Sequence, residues 1–213
     1  LMGAKRFSQI RLPSEENAEE SWLSSGEFVE RMLAAYDVDY EAIQKAGDTL
    51  AGTLKKSELL TLATGQGHRL TFSTKGRTWL VDAGDGDMPC GEVYIAPVED
   101  RTNGEVYFEQ LFVGELGNYE KIELHIRNGM IAGSGDARFN ERLAALEPAD
   151  KTICELGFGL NPNVRSLCGY SALDEKALDT FHIAIGANTM FGGKNESGLH
   201  IDMVGRGEIL PDG

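Results

Sequence analysis

Two histidines and an aspartate occupy apolar segments near the C-terminal end of the sequence. His200 and Asp202 are two residues apart in 'GLHIDMVG', and His182 lies in 'FHIAIG'. Side chains two apart on a strand point to the same face, so His200 and Asp202 are predicted to be directed together. Imidazole and carboxylate groups are common ligands of divalent metals. The pattern fits either the solvated face of an edge strand or, with His182, a site with two histidines and one carboxylate.

Two glutamates lie in similar surroundings. Glu92 precedes the apolar residues of 'GEVYIAPV', and Glu155 is enclosed in 'TICELGFG'. A buried carboxylate has to be paired, protonated or bound to a cation. Taken alone, Glu92 is explained by a solvated strand end and Glu155 by a salt bridge. With the two histidines and Asp202 they form a set of three carboxylates and two imidazoles, which suits two divalent metals about 3.5–4 Å apart.

The other two histidines are interpreted as structural. His68 begins a strand after a glycine, and His125 alternates with charged residues in 'ELHIRNG'. The alternation around His125 is typical of an exposed strand face.

The overall charge of the protein limits its partners. Of the 213 residues, 41% are hydrophobic and 25% charged, which are ordinary values for a globular protein. The formal net charge is −14, and the sequence pI is about 4.7. Nucleic acids and anionic membranes bind basic surfaces, so neither is expected as a partner.

The cysteines predict a reducing, cytoplasmic location. Cys90, Cys154 and Cys168 are odd in number and irregularly spaced, which fits neither a disulfide framework nor a zinc finger. No segment approaches the roughly 18 apolar residues of a membrane helix, and no signal peptide opens the chain. The chain starts with Leu1-Met2 and stops at 'EILPDG', so we expect it to be part of a longer protein.

Helices are predicted in the first quarter of the chain. Residues 14 to 36 combine an acidic start with apolar residues at helical spacing, and a second helix is predicted after Asp39, a favourable N-cap. The next segment, 'RLTFSTKGRTWLV', alternates in polarity and is predicted to form a hairpin that turns at Lys75-Gly76.

Strands dominate the sequence from Glu92 onward. Asn128-Gly129 between apolar runs is a strong hairpin signal, and one helix capped by Asp136 interrupts the strands. Helices followed by a strand-rich body predict an α+β fold, a mixed sheet with N-terminal and inserted helices. We predict a helical N-terminal segment over residues 1–60, interpreted as the remnant or linker of a larger domain, and a catalytic, metal-binding domain over residues 61–213.

Four segments together resemble the thermophilic aminopeptidase family of metallopeptidases, the aminopeptidase T and S type. They are 'MPCGEVYIAPVED', 'ELGFGLNPNV', 'DEKALDTFHIAIGANTMFGG' and 'GLHIDMVG', in this order. The likeness extends over roughly residues 40 to 213. Each motif is short, but four of them in one order make the resemblance fairly specific.

The resemblance implies a co-catalytic pair of divalent metals (Zn, Co or Mn) and the removal of N-terminal residues from peptides with a free N-terminus. The implied ligands are Glu92, Glu155, His182, His200 and Asp202. The metals would activate water and polarise the scissile carbonyl. Glu155 is expected to carry the proton from this water to the leaving amine. A homodimer is also implied.

Two features depart from that family. Its members commonly carry a tyrosine seven residues after the first histidine of the set, and Thr189 stands here instead. The separate N-terminal domain of the family is largely missing, since only the helices up to about Leu60 precede the catalytic part. The first departure leaves the rate and the substrate open.

Two other functions fit the same residues. His182, His200 and Asp202 match the ligand triad of mononuclear non-haem iron dioxygenases. A catalytically weak, metal-stabilised domain is the third interpretation, and Thr189 favours it. The number of ligands separates the first two, because five indicate two metals and hydrolysis whereas three indicate one iron and oxygen chemistry.

Overall fold

Helices and strands combine in a mixed α+β fold in the computed structural model, which describes residues 9–211. The predicted fold class is therefore confirmed. The division into a segment over 1–60 and a domain over 61–213 stays a prediction, and residues 1–8 and 212–213 of these ranges lie outside the described residues.

The helices lie mostly in the first quarter of the chain. They are α1 (Glu15–Glu20), α2 (Ser25–Tyr36), α3 (Tyr40–Leu54), α4 (Ala137–Ala144) and α5 (Ser171–Asp174). The N-caps predicted from the sequence are confirmed, because the Asp39 carboxylate accepts the N–H of Ala42 and Asp136 accepts that of Phe139. None of the described helices is long and apolar enough to span a membrane.

The single helix predicted over residues 14 to 36 is wrong. The chain leaves the helical conformation after Glu20 and begins a new helix at Ser25. The reason is a capping box at the start of α2, in which Ser24 accepts the N–H of Glu27 while the Glu27 carboxylate accepts the N–H of Ser24. This reciprocal pair satisfies N–H groups that a helix start leaves open.

Thirteen strands of the described chain form one two-stranded, one five-stranded and one six-stranded sheet. They are β1 (Gln9–Ile10), β2 (Leu59–Thr64), β3 (Arg69–Ser73), β4 (Leu80–Asp82), β5 (Asp87–Met88), β6 (Glu92–Ile95), β7 (Asn103–Phe112), β8 (Asn118–Arg127), β9 (Met130–Ser134), β10 (Ile153–Gly159), β11 (Phe181–Gly186), β12 (His200–Gly205) and β13 (Gly207–Pro211). The five-stranded sheet has the order β12-β11-β10-β6-β4, and the six-stranded sheet has the order β13-β2-β3-β7-β8-β9. The pairings within both sheets are antiparallel.

One predicted hairpin is confirmed and the other is wrong. Asn128 and Gly129 turn between β8 and β9 with φ values of 48° and 77°, the left-handed conformation that this turn requires. In contrast, β3 pairs with β2 and β7, whereas β4 pairs with β6 in the other sheet. Lys75 and Gly76 therefore lie where the chain passes from one sheet to the other. The local turn signal does not indicate whether the two strands beside it pair with each other or with other strands.

The core lies between the two large sheets. Apolar side chains of the five-stranded sheet, such as Leu156, Ile183 and Met203, pack in one cluster with Leu62 and Phe72 of the six-stranded sheet. Because side chains alternate along a strand, the residues between them point to the opposite face of the five-stranded sheet. That face carries the ionisable residues singled out in the sequence.

Candidate metal centre

The five predicted ligands come from four adjacent strands of the five-stranded sheet. In the antiparallel register Glu155 is opposite Ala184, which is opposite Asp202 on the next strand. Residues opposite each other in such a ladder share a face of the sheet. His182 and Glu92 lie on the same face, opposite Gly157 and Gly159 of β10. The structure thus brings all five residues together, and their role as ligands stays a prediction.

A glycine in β10 makes room for His182. Gly157 is the residue opposite His182, and a Cβ added at Gly157 would lie 2.1 Å from Nε2 of the imidazole. Any larger residue would therefore collide with the ring. The ring occupies this space and reaches Glu92 on β6, two strands away.

The first group of candidate ligands is buried. Nε2 of His182 lies 3.2 Å from Oε1 of Glu155 and 3.4 Å from Oε2 of Glu92. One ligand atom of each residue lies within 4.8 Å of the others. These separations are suited to a single ion placed between the three atoms, because zinc binds such donors at about 2.0–2.2 Å.

The second group lies at the solvent edge of the site. Nε2 of His200 is 3.3 Å from Oε2 of Glu155 and 3.6 Å from Oδ1 of Asp202, and the three ligand atoms again lie within 4.8 Å of one another. The side chain of His200 is 35% exposed, whereas that of His182 is fully buried. Glu155 belongs to both groups, with one oxygen directed at each histidine.

The donors fit divalent metals. Nδ1 of His200 lies 2.9 Å from the carbonyl oxygen of Ala187, which as acceptor fixes a proton on Nδ1, so Nε2 is the nitrogen that would bind a metal. Oε2 of Glu92 is buried and has no hydrogen-bond partner within residues 9–211. A buried carboxylate oxygen that is directed at a histidine but lacks a donor is suited to a cation.

The electrostatics of the metal-free site favour charged imidazoles. Burial lowers the pKa of His182, but the hydrogen bond to Glu155 and the charge of Glu92 together raise it to about 9. The pKa of His200 is also raised, against the effect of burial, by Asp202, Cys154 and Glu155. Burial raises the pKa of Asp202, but His200 lowers it to about 2. The carboxylates thus hold protons on both histidines until a metal replaces them.

Metal uptake at neutral pH is therefore expected to release protons. Both His182 and His200 have a raised pKa in the metal-free protein, so both are protonated at pH 7, and a ligand nitrogen must be deprotonated to bind a metal. The apparent affinity of the first group, which contains His182, should rise with pH up to about 9, where this histidine loses its proton. Calorimetric titration with Zn²⁺ in buffers of different ionisation enthalpy measures the protons released. A heat that does not depend on the buffer would contradict this assignment.

Sequence reasoning missed three residues beside the site. Nζ of Lys176 donates to Oε1 of Glu92 at 2.6 Å and lies 2.8 Å from Oε1 of Glu175. Burial raises the pKa of Glu175 to about 8, although Lys176 opposes the rise. Asp82 lies opposite Glu92 on β4, 4.0 Å from Nζ of Lys176. No local pattern identifies these residues, since their position follows from the pairing of β4 with β6 and from the turn after α5.

Two aromatic residues border the site. Tyr94 is two residues after Glu92 on the same face of β6, and its ring contacts that of Phe191 edge to face with centroids 5.6 Å apart. Phe191 in turn lies 6.0 Å from the ring of His200. The Tyr94 hydroxyl has no hydrogen-bond partner in the described part of the chain. Thr189, where the resembled family commonly has tyrosine, is exposed at the start of the turn that carries Phe191.

The remaining histidines lie away from the centre. Nδ1 of His125 is 3.2 Å from Glu105, and Nε2 of His68 is 3.9 Å from the same carboxylate. Neither belongs to the two groups of candidate ligands found within residues 9–211. These contacts are consistent with the structural roles predicted for both residues.

The sequence as a whole matches one family of metal-dependent proteases. Residues 12–210 match the model of the thermophilic metalloprotease family, M29. The chain belongs to the M29 metalloproteases. Membership identifies it as a metal-dependent peptidase of the hydrolase class, and it confirms the resemblance drawn from the sequence motifs. No curated protein has a significant match to this M29 chain.

Two solved structures share the fold of this M29 chain. One is 2,5-dihydroxypyridine dioxygenase from Pseudomonas putida KT2440, 17% identical with a TM-score of 0.71 over 96% of this chain. The other is wild-type AmpT from Thermus thermophilus, 21% identical with a TM-score of 0.67 over 89% of this chain. The alignments cover 68% of the dioxygenase chain and 58% of the AmpT chain. At these identities the likeness concerns the fold alone.

Proposed function

We propose that this M29 metallopeptidase is an aminopeptidase with a co-catalytic pair of divalent metals. The observation that carries the proposal is the pair of three-residue groups that share Glu155. A carboxylate with one oxygen directed at each of two histidines is suited to bridge two ions. Zn, Co or Mn fit these nitrogen and oxygen donors.

A single iron site is less well supported. The iron triad would consist of His182, His200 and Asp202, but these three residues do not form one of the two close groups found within residues 9–211. Glu155 lies between the two histidines, within 3.3 Å of each Nε2. The arrangement therefore favours five ligands over three.

The proposed site has a buried end and an end that faces the solvent. Bound divalent metals lower the pKa of water and polarise a carbonyl oxygen. His182 and the first oxygen of Glu155 form the buried end, whereas His200 and Asp202 face the solvent from which a peptide approaches. We propose that Glu155 accepts the proton from the attacking water. The Tyr94 hydroxyl is free to donate to the substrate from the adjacent position on β6.

Cleavage at the N-terminus is supported by the charge around the second group. A free α-amino group is cationic at neutral pH. Glu175 forms a side-chain hydrogen bond that helps to lower the pKa of Asp202, so this ligand is ionised at neutral pH. The ionised Asp202 and the net charge of −14 of the whole chain attract the cationic end of a peptide.

Metal analysis and a pair of matched substrates test the proposal. We expect two divalent metals per chain and hydrolysis of leucine p-nitroanilide but not of its N-acetylated form, whose amino group is uncharged. A chelator should abolish hydrolysis, and Zn²⁺, Co²⁺ or Mn²⁺ should restore it. One iron per chain would favour the dioxygenase, and two metals without hydrolysis would favour a metal-stabilised domain. Cleavage of the acetylated substrate would contradict the N-terminal specificity.

We further propose that the protein acts as a cytoplasmic homodimer on peptides. Cys90, Cys154 and Cys168 are free and buried, which agrees with a reducing compartment. Light scattering during size-exclusion chromatography tests the dimer, and a mass of one chain would contradict it.

A further inference from the structure

A buried lysine contacts the candidate metal centre. The side chain of Lys176 is 2% exposed, and its Nζ donates to Oε1 of Glu92 at 2.6 Å. A fully buried lysine is rare and needs compensation for its lost hydration. Here the compensation comes from Glu175 at 2.8 Å and from Asp82 at 4.0 Å. These carboxylates raise the pKa of Lys176, against the effect of burial, so its amine stays charged.

The backbone of Lys176 is fixed as well. Its N–H donates to the carbonyl of Leu173 at 3.1 Å, and its carbonyl accepts the N–H of Asn161 at 2.8 Å. The Asn161 side chain is itself buried and donates to the carbonyls of Ala35 and Cys90. The lysine is therefore held at both its backbone and its amine, which keeps the amine beside Glu92.

The contact assigns different tasks to the two oxygens of Glu92. Oε1 is occupied by the Lys176 amine. Oε2 has no hydrogen-bond partner within residues 9–211 and lies 3.4 Å from Nε2 of His182. Only Oε2 is thus available to an ion held with His182, and the carboxylate plane is fixed by the hydrogen bond on the other side.

We propose that Lys176 is a positioning residue, which holds one oxygen of Glu92 so that the carboxylate offers a single oxygen to the metal shared with His182. The inference rests on the proposed two-metal site. Partners that orient a metal-binding carboxylate commonly contribute 10–100-fold to metal affinity. A carboxylate that offers one oxygen instead of two supplies fewer donor atoms to the ion. Such a site favours ions that accept four or five ligands, such as zinc, over larger ions.

Charge and position predict opposite effects of removing the lysine. A positive charge beside the site repels a divalent cation, so a lysine that acted by charge alone would weaken metal binding. Its removal would then increase affinity. If Lys176 positions Glu92, removal decreases affinity although the site becomes more negative. The sign of the change therefore distinguishes the two roles.

The test is a titration of the metal-free protein with Zn²⁺ against a competing chelator. For Lys176→Met we expect the affinity of one of the two binding steps to fall 10–100-fold. Lys176→Arg keeps the charge and the donors and should remain within tenfold of the wild type. Lys45→Met, at an exposed position of α3, is the matched control and should not change either step. The absorption spectrum of bound Co²⁺ should change in Lys176→Met, because the coordination by Glu92 changes.

A double variant covers the case in which Lys176→Met does not fold. Glu175→Gln combined with Lys176→Met removes the buried amine and also replaces the carboxyl group that contacts it at 2.8 Å, and affinity should still fall. Unchanged or increased Zn²⁺ affinity in Lys176→Met, or in the double variant if the single one does not fold, would overturn the positioning role. A wild-type protein that binds no metal would instead overturn the proposed function, so the two failures are distinguishable.

Discussion

Replacing Glu155 with glutamine is expected to reduce the metal content from two ions per chain to one or none and to abolish hydrolysis. Glu155 belongs to both groups of candidate ligands, and each of its oxygens lies within 3.3 Å of a histidine. An amide offers one neutral oxygen, so it cannot bridge two cations. We expect a loss in kcat/KM on the order of a thousandfold or more, about 4 kcal/mol of transition-state stabilisation. Elemental analysis and the hydrolysis of leucine p-nitroanilide measure both effects.

The control for this variant is Glu30→Gln, an exposed position on α2 that makes the same chemical change. It should retain both metals and full activity. A Glu155→Gln protein that keeps two metals but loses hydrolysis would show that Glu155 transfers a proton and is not a required ligand. Retention of both metals and activity would contradict both roles.

Replacing Gly157 with alanine is expected to displace His182 although no ligand is changed. The added Cβ would lie 2.1 Å from Nε2 and 2.3 Å from Cε1 of the imidazole, distances at which the ring has to move. Overpacking of this kind costs about 1–3 kcal/mol of stability. The ion of the first group, which contains His182, should be lost when the ring is displaced. Activity should fall at least about a hundredfold, which corresponds to about 2.7 kcal/mol of transition-state stabilisation.

Denaturant unfolding and metal analysis separate these two effects of Gly157→Ala. Gly52→Ala is the matched control, because Gly52 lies in helix α3 and its added Cβ would contact nothing within 4 Å. Alanine there should stabilise the helix by about 0.5–1 kcal/mol and leave the metals in place. If Gly157→Ala binds two metals with normal activity, the space above Gly157 is not needed for His182.

The sequence predicts the polar face of the sheet well because the relevant signal is local. Side chains alternate with a period of two, so His200 and Asp202 had to share a face once their segment formed a strand. The structure places both beside Glu155, and it also makes β12 an edge strand. The two interpretations of this segment are therefore compatible, since an edge strand can carry ligands on its solvated face.

Features that depend on distant pairing could not be predicted in the same way. Lys75-Gly76 is a turn by sequence, but the partners of β3 and β4 are chosen by burial in two different sheets. Lys176 lies in a segment without apolar periodicity, and its contact with Glu92 joins residues 84 positions apart. The space that Gly157 leaves for the His182 ring could not be predicted either, because it depends on the register between β10 and β11.

The edge position of β12 has a consequence for the local stability of the protein. β12 pairs with β11 on one side and is the last strand of its sheet, so its outer backbone groups have no strand partner among residues 9–211. Such strands open locally more easily than the core, as amide hydrogen exchange detects. An ion held by Glu155 on β10 and by His200 and Asp202 on β12 would fasten the edge strand to the second strand inward. Ligand binding stabilises the closed form by mass action, so the supply of metal would set how often this strand opens.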